Sequence, residues 1–195
     1  MGSWTSKGYR SVAGARKVAA VRVTAVANRR TLDFDPIVEA GNNWSRNGWD
    51  AAVPGMAVIT SIVRAHQILL ARVHTSLMPF DLTFAQYEAL MLLSFTKRGN
   101  MPLGKMGKRL QVHPASITNV IDRLEGKGLV QRLQHPDDMR TTLAVITRAG
   151  RKVAAKATAA LNAEVFEHTG LDVQQELALV DIITGLRSSA GDFSA

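Results

Sequence analysis

Along most of this chain the apolar residues recur in steps of three and four, the spacing of one face of an α-helix. From Met56 through Ile59, Val63, His66, Leu70, Val73 and Leu77 they form a seam over three heptads, widened by Ile62 and Leu69. Pro54 suits the first turn of that helix, where a missing N–H does no harm, and Pro79 closes it. A stripe this apolar needs a partner surface. Thr83 with Gln86 predicts a capping-box start for the next helix, running to about Lys97 and filled by Phe84, Tyr87, Leu90, Met91 and Phe95.

Two shorter helices follow. Leu103, Met106, Gly107 and Leu110 fall at i, i+3, i+4 and i+7, and Ile117, Val120, Ile121 and Leu124 repeat the template after a break ending in Pro114. Pro102 starts the first of the pair and Gly126 with Gly128 ends the second. Gly107 is small where the two must cross. The pattern then changes: Leu129 to Gln134 and Thr141 to Ile146 read as strands, with residues 135–140 as the connecting tip. Thr147 caps a helix of about 148–168, with Val153, Ala157, Leu161 and Val165 on its apolar stripe, and Asp172 with Gln175 caps a last helix to about Arg187. Two helices joined by a short turn and followed by a two-stranded ribbon form a helix-turn-helix with a wing, a shape suited to a DNA groove. The predicted class is mainly α with a small β-wing.

Residues 34–53 make a lead-in carrying Trp44 and Trp49, with a short helix near Pro36 to Ala40. The tryptophans suit anchoring on the body or on a partner. Ahead of it, residues 1–33 have few large apolar residues and no sustained period. They read as a flexible basic arm, an arm that touches DNA, a targeting segment, or an extension from a start codon placed upstream.

Charge changes the picture more than composition does. The formal net charge is +8, but residues 1–32 alone hold seven basic residues and no acid. Residues 83–150, the helix-turn-helix block, hold ten basic and five acidic residues, whereas 33–82 and 151–195 are each net acidic. The positive excess of the folded part therefore coincides with the motif. Hydrophobic content of 46% supports a sizeable core, and no uninterrupted run approaches a membrane span. There is no cysteine, which removes disulfides, thiol redox sensing and thiolate metal sites. The five histidines form no tight ligand cluster, so neither a metal nor another cofactor is expected. Phosphate loops, a nucleophile elbow and a paired His-Glu motif are absent, so no enzyme is expected.

If Ile117, Val120, Ile121 and Leu124 face the core, then Ala115, Ser116, Thr118, Asn119 and Arg123 face outward. Ser, Thr and Asn suit base edges, and Ala115 suits a thymine methyl. An ordinary solvated helix would show the same polar positions. Arg140 at the ribbon tip suits a minor groove, with Asp138 orienting its guanidinium through a charge-assisted hydrogen bond. A tip arginine in a weak surface ion pair is the plainer alternative. Lys105, Lys108, Arg109 and Arg132 suit phosphates, and His113 just before the second helix suits a phosphate hydrogen bond.

Three segments carry a resemblance to the MarR family of winged-helix regulators. LTFAQYEALMLL at 82–93 resembles the family's helix ahead of the motif. LQVHPASITNVIDRLEGKGLVQR at 110–132 resembles its recognition helix and first wing strand. HPDDMRTTLAVITRAGR at 135–151 resembles its wing, with the Asp-x-Arg signature at Asp138 and Arg140. The family often has a second basic residue directly before that arginine, where this chain has Met139. The resemblance implies a cytoplasmic, nucleoid-associated homodimer on a palindromic operator of double-stranded DNA. Residues 54–80 and 148–188 would form a helical dimerisation base, and 81–147 the DNA-binding domain. It further implies repression relieved by a small anionic or aromatic effector, such as an aromatic acid, a phenol or a coenzyme A thioester. His66, Arg72, His74 and Tyr87 are the candidate groups for that effector, although a histidine on an apolar face is more often a hydrogen-bonded core residue. An architectural DNA-binding protein without an effector is the alternative.

Overall fold

The computed structural model describes residues 32–193, so all but the last two positions of the expected basic arm lie outside the described residues. Two compact units are present, and the described parts of each are residues 32–167 and residues 168–193.

In the first unit, α1 (Pro36–Arg46) is followed by a 3₁₀ turn (Asp50–Ala52) and the long α2 (Val53–Leu77). Asp35 caps α1 by accepting the Ile37 N–H at 2.8 Å. Trp44 and Trp49 meet edge to face, with ring centroids 5.5 Å apart. After a second 3₁₀ turn (Met78–Phe80) come α3 (Phe84–Ser94), β1 (Asn100–Pro102), α4 (Leu103–Leu110), α5 (Pro114–Gly126), β2 (Val130–His135), β3 (Asp138–Ile146) and α6 (Arg148–Leu161). The predicted capping box of α3 is present, with the Gln86 N–H on the Thr83 hydroxyl and the Thr83 N–H on the Gln86 side chain.

Several boundaries differ from the sequence reading: α1 runs to Arg46 rather than Ala40, and α3 stops at Ser94 rather than about Lys97. A third strand, β1, pairs antiparallel with β3 in the order β1-β3-β2. Three residues are too short to show alternation, and Pro102 is tolerated because β1 is an edge. The ribbon tip is tighter than expected, because β3 begins at Asp138 and leaves only Pro136 and Asp137 between the strands. The helix expected to run to about 168 ends at Leu161 and passes into one π turn (Asn162–Phe166).

The core gathers Leu77 from α2, Leu90 and Leu93 from α3, Met106 from α4, Ile117, Ile121 and Leu124 from α5, Val130 from β2 and Leu161 from α6, all essentially inaccessible. It clamps α5 from behind, which fixes the direction of its outer face. At the crossing of α4 and α5, a Cβ on Gly107 would lie 3.3 Å from the Val112 carbonyl and 3.5 Å from Ile117, so a larger residue would have to push the Val112 carbonyl back by a few tenths of an ångström.

A more severe constraint sits at Gly150, which donates its N–H to the capping Thr147 hydroxyl at 3.0 Å. A Cβ there would collide with the Leu129 carbonyl oxygen and lie 2.9 Å from Ile146 Cγ1. Gly150→Ala is therefore expected to destabilise the protein by at least ~2 kcal/mol, because α6 must move off the end of the sheet. A thermal unfolding midpoint equal to that of the unmodified protein would contradict this packing.

The seam on α2 is buried only at its end. Val73 and Leu77 enter the core, but Ile59 is 65% and Val63 52% exposed. The stretch Asp50–Phe80 is also long and apolar enough, at a mean hydropathy of 1.4, to cross a membrane by length and composition. No uninterrupted apolar run produces this: Ala, Val, Ile and Leu spread round the helix raise the average, while Arg64, His66, Arg72 and His74 interrupt it.

The second unit contains α7 (Val173–Ser189). Its capping box is as read from the sequence, with the Gln175 N–H on Asp172 at 2.9 Å and the Asp172 N–H on the Gln175 side chain at 3.0 Å. No residue of α7 is buried, and Ile182 is 68% exposed.

Candidate nucleic-acid interface

Helix α5 is stopped and started by local chemistry. His113 is its N-cap, and the imidazole Nδ1 accepts the Ala115 N–H at 3.2 Å. Pro114 occupies the first helical position and Gly128, at φ +69°, lies just past the end. The inward set is the one the spacing implies, with Ile117, Ile121 and Leu124 buried and Val120 half-buried. Ala115, Ser116, Thr118, Asn119 and Arg123 are exposed on the outside. Thr118 also returns its hydroxyl to the Pro114 carbonyl at 3.0 Å, which fixes its rotamer and leaves its oxygen able to accept. Lys105, Lys108 and Arg109 are exposed on α4. His113 already uses Nδ1 in the cap, so its Nε2 is the nitrogen left for an outside acceptor.

Arg132 departs from the expectation of a phosphate contact. It is half-buried on β2, and its guanidinium pairs with Asp122, lies 3.3 Å from a Glu125 carboxylate oxygen and donates to the Thr118 carbonyl at 3.2 Å. Its backbone N–H donates to Glu125 at 2.9 Å. These bonds make it a strut between β2 and α5. Spacing alone did not show this, because the acids stand on α5 and the arginine on β2.

The strut also orients the ribbon. Arg132 pairs with Ala144 and Gln134 with Thr142 across the strands, and side chains two apart in a strand share a face. Arg140 lies beyond the last regular pair, past the register shift at Gln134 and His135, with its side chain exposed at the tip. Asp138 acts differently from the sequence reading. Its carboxylate accepts the Thr141 hydroxyl at 2.7 Å and the Arg140 backbone N–H at 3.0 Å, so it fixes the turn and leaves the guanidinium exposed. The Thr141 hydroxyl first, then the Arg140 N–H, hold the Asp138 carboxyl below the usual aspartate range.

The four effector candidates separate. Tyr87 is buried, its hydroxyl 3.1 Å from the Thr158 hydroxyl, so it joins α3 to α6. Arg72 is half-buried and donates to the Glu164 carbonyl at 3.1 Å. His66 is exposed. Only His74 lines a cleft of about 680 Å³, together with Thr75, Met78, Asp81, Leu82, Thr83, Gln86, Arg123 and Lys127. Lys127 spans one side of it through an ion pair with Asp81 at 3.0 Å and a bond to the Asp81 carbonyl. The cleft thus lies between the end of α2 and the end of the recognition helix. Sequence reasoning missed the part of Lys127, and placed Arg123 only on the DNA side. Among the described residues no three His, Asp or Glu side chains gather as a metal-binding group.

Residues 82–142 match the MarR family model. The Streptomyces coelicolor protein Sco5413, a MarR family transcriptional regulator, is 47% identical to this chain and similar in structure, with a TM-score of 0.67 over 73% of this chain and 99% of that one. The chain belongs to the MarR family. A second MarR family regulator from the same organism, Sco3205, solved in complex with DNA, has the same fold at 23% identity, with a TM-score of 0.60 over 68% of this chain and 84% of its own. The Bacillus subtilis HTH-type transcriptional regulator YhbI is 36% identical over 79 residues, 40% of this chain and 50% of that protein. The chain thus spans about half the length of this curated relative.

Proposed function

We propose that this MarR family member is a sequence-specific DNA-binding transcriptional regulator that acts as a homodimer on a palindromic operator. The observation that carries the reading is the outward row on α5 beside a wing that Arg132 braces against the same helix, with Arg140 exposed at the wing tip. Ser116, Thr118 and Asn119 would read base edges in a major groove, with Ala115 against a thymine methyl. Arg123 and Lys105 would reach phosphates or guanine, His113 would donate Nε2–H to a phosphate, and Arg140 would enter the adjacent minor groove. Asp138 and Arg132 would act by holding the wing. The exposed apolar face of α2, and separately that of α7, would be covered by a second copy, giving two recognition helices about one DNA turn (~34 Å) apart. Such a protein works in the cytoplasm, on the nucleoid.

The cleft supports an anionic effector, with His74 and Arg123 as the polar contacts. Binding there would favour one orientation of the winged helix over another and release the operator, the commoner repressor mode. The test is a panel of aromatic acids, phenols and coenzyme A thioesters. An effector at about 100 times its Kd should raise stability by about 2.7 kcal/mol, several degrees in melting temperature, and weaken operator binding. Tight operator binding with no response to any of them would favour the architectural alternative.

A further inference from the structure

Resting on the DNA-binding reading, we propose that His135 is the positioning residue of the wing: its imidazole builds the hairpin tip that presents Arg140. From Leu133 to Arg140 every residue is exposed except His135, which is half-buried. The regular register of β2 breaks between Gln134 and His135, and His135 then pairs with Asp138. Only Pro136 and Asp137 close the turn. Pro136 has no N–H, so the first donor inside the turn is that of Asp137. His135 takes it, with Nδ1 accepting at 3.2 Å.

Two further side chains complete the tip. Asp138 accepts the Arg140 N–H at 3.0 Å, and the Gln134 amide donates to the Met139 carbonyl. An imidazole, a carboxylate and an amide thus hold the backbone that leads into Arg140. Without the imidazole bond the Asp137 N–H turns to water and the two-residue turn gains conformations. The wing must then be ordered on DNA rather than before it, which weakens binding. The role needs an acceptor near the Nδ1 position. Asparagine offers one through Oδ1 and alanine offers none.

The test measures operator affinity at fixed salt for wild type, His135→Ala, His135→Asn, Arg140→Ala and the double variant His135→Ala/Arg140→Ala, using a duplex that carries a candidate inverted repeat from the DNA directly upstream of the gene. His135→Ala should lose roughly 3- to 10-fold, the range of one hydrogen bond, and His135→Asn should recover most of that loss. In the Arg140→Ala background the His135→Ala change should add almost nothing, because the two act as one unit. Thermal unfolding of each variant separates this from a loss of fold. Wild-type affinity in His135→Ala overturns the proposal. So does an unchanged effect of His135→Ala when Arg140 is absent, or an asparagine variant as weak as the alanine one. A wild type that binds the repeat no better than a scrambled duplex fails the DNA-binding reading itself. A wild type that discriminates, beside an inert His135→Ala, fails only the role of His135.

Discussion

Arg140→Ala is expected to weaken operator binding by roughly 10- to 100-fold, about 1–3 kcal/mol, while leaving the unfolding midpoint unchanged. The side chain is exposed and lies at a tip whose backbone is bonded by the Asp138 carboxylate, itself held by the Thr141 hydroxyl, rather than by the arginine. Truncation therefore removes a charge and a groove contact and leaves the turn standing. A narrow minor groove concentrates negative potential, so the loss should be largest on duplexes with A·T pairs at the wing position. The slope of log affinity against log salt should also flatten by about 0.9 for the phosphate charge no longer neutralised. A gel-shift titration at two salt concentrations measures both effects. Unaltered affinity would take the wing out of the mechanism.

The second large effect concerns α2. Ile59→Glu combined with Val63→Glu is expected to turn a dimer into a monomer, raising the dimer Kd by at least ~100-fold, which corresponds to about 2.7 kcal/mol. Both residues are more than half exposed within one chain, on a seam that reaches the core only at Val73 and Leu77. In a dimer, two carboxylates per copy would be buried without partners, which is strongly unfavourable. The winged helix should survive, because neither side chain touches its core. Sedimentation velocity across a concentration series reads the dimer, and thermal unfolding reads the fold. Operator affinity should fall with the dimer, since two linked half-sites become two independent weak ones. A variant that still sediments as a dimer would place the self-association surface elsewhere.

Much of the interface was legible because its signals are local. Pro114, Gly126 and Gly128 bracket α5, and four apolar residues at helical spacing decide which side is out. The same holds for the capping boxes at Thr83 and Asp172. What the sequence did not show depends on elements far apart in the chain. Arg132 looked like a free basic residue until β2 was seen against Asp122 and Glu125 of α5. Tyr87 looked like a pocket residue because a capped apolar helix does not reveal which neighbour its hydroxyl meets, and the neighbour is Thr158 on α6. His66 drew attention as a break in the α2 seam, yet the cavity lies two turns further on, at His74. His135 was invisible as a positioning group, since its bond to the Asp137 N–H depends on the register shift beside it.

The most direct test of the central claim is the ratio of affinities for two duplexes at one physiological salt concentration. One carries a candidate inverted repeat from the DNA directly upstream of the gene, and the other holds the same bases scrambled. Fluorescence anisotropy with wild type and with Ser116→Ala/Asn119→Ala gives four affinities. The wild type should prefer the repeat by at least ~10³-fold, and the α5 variant should lose at least ~10-fold on the repeat but little on the scrambled duplex. Equal wild-type affinities for the two duplexes, or an α5 variant that discriminates as wild type does, would contradict α5 as the element that reads sequence.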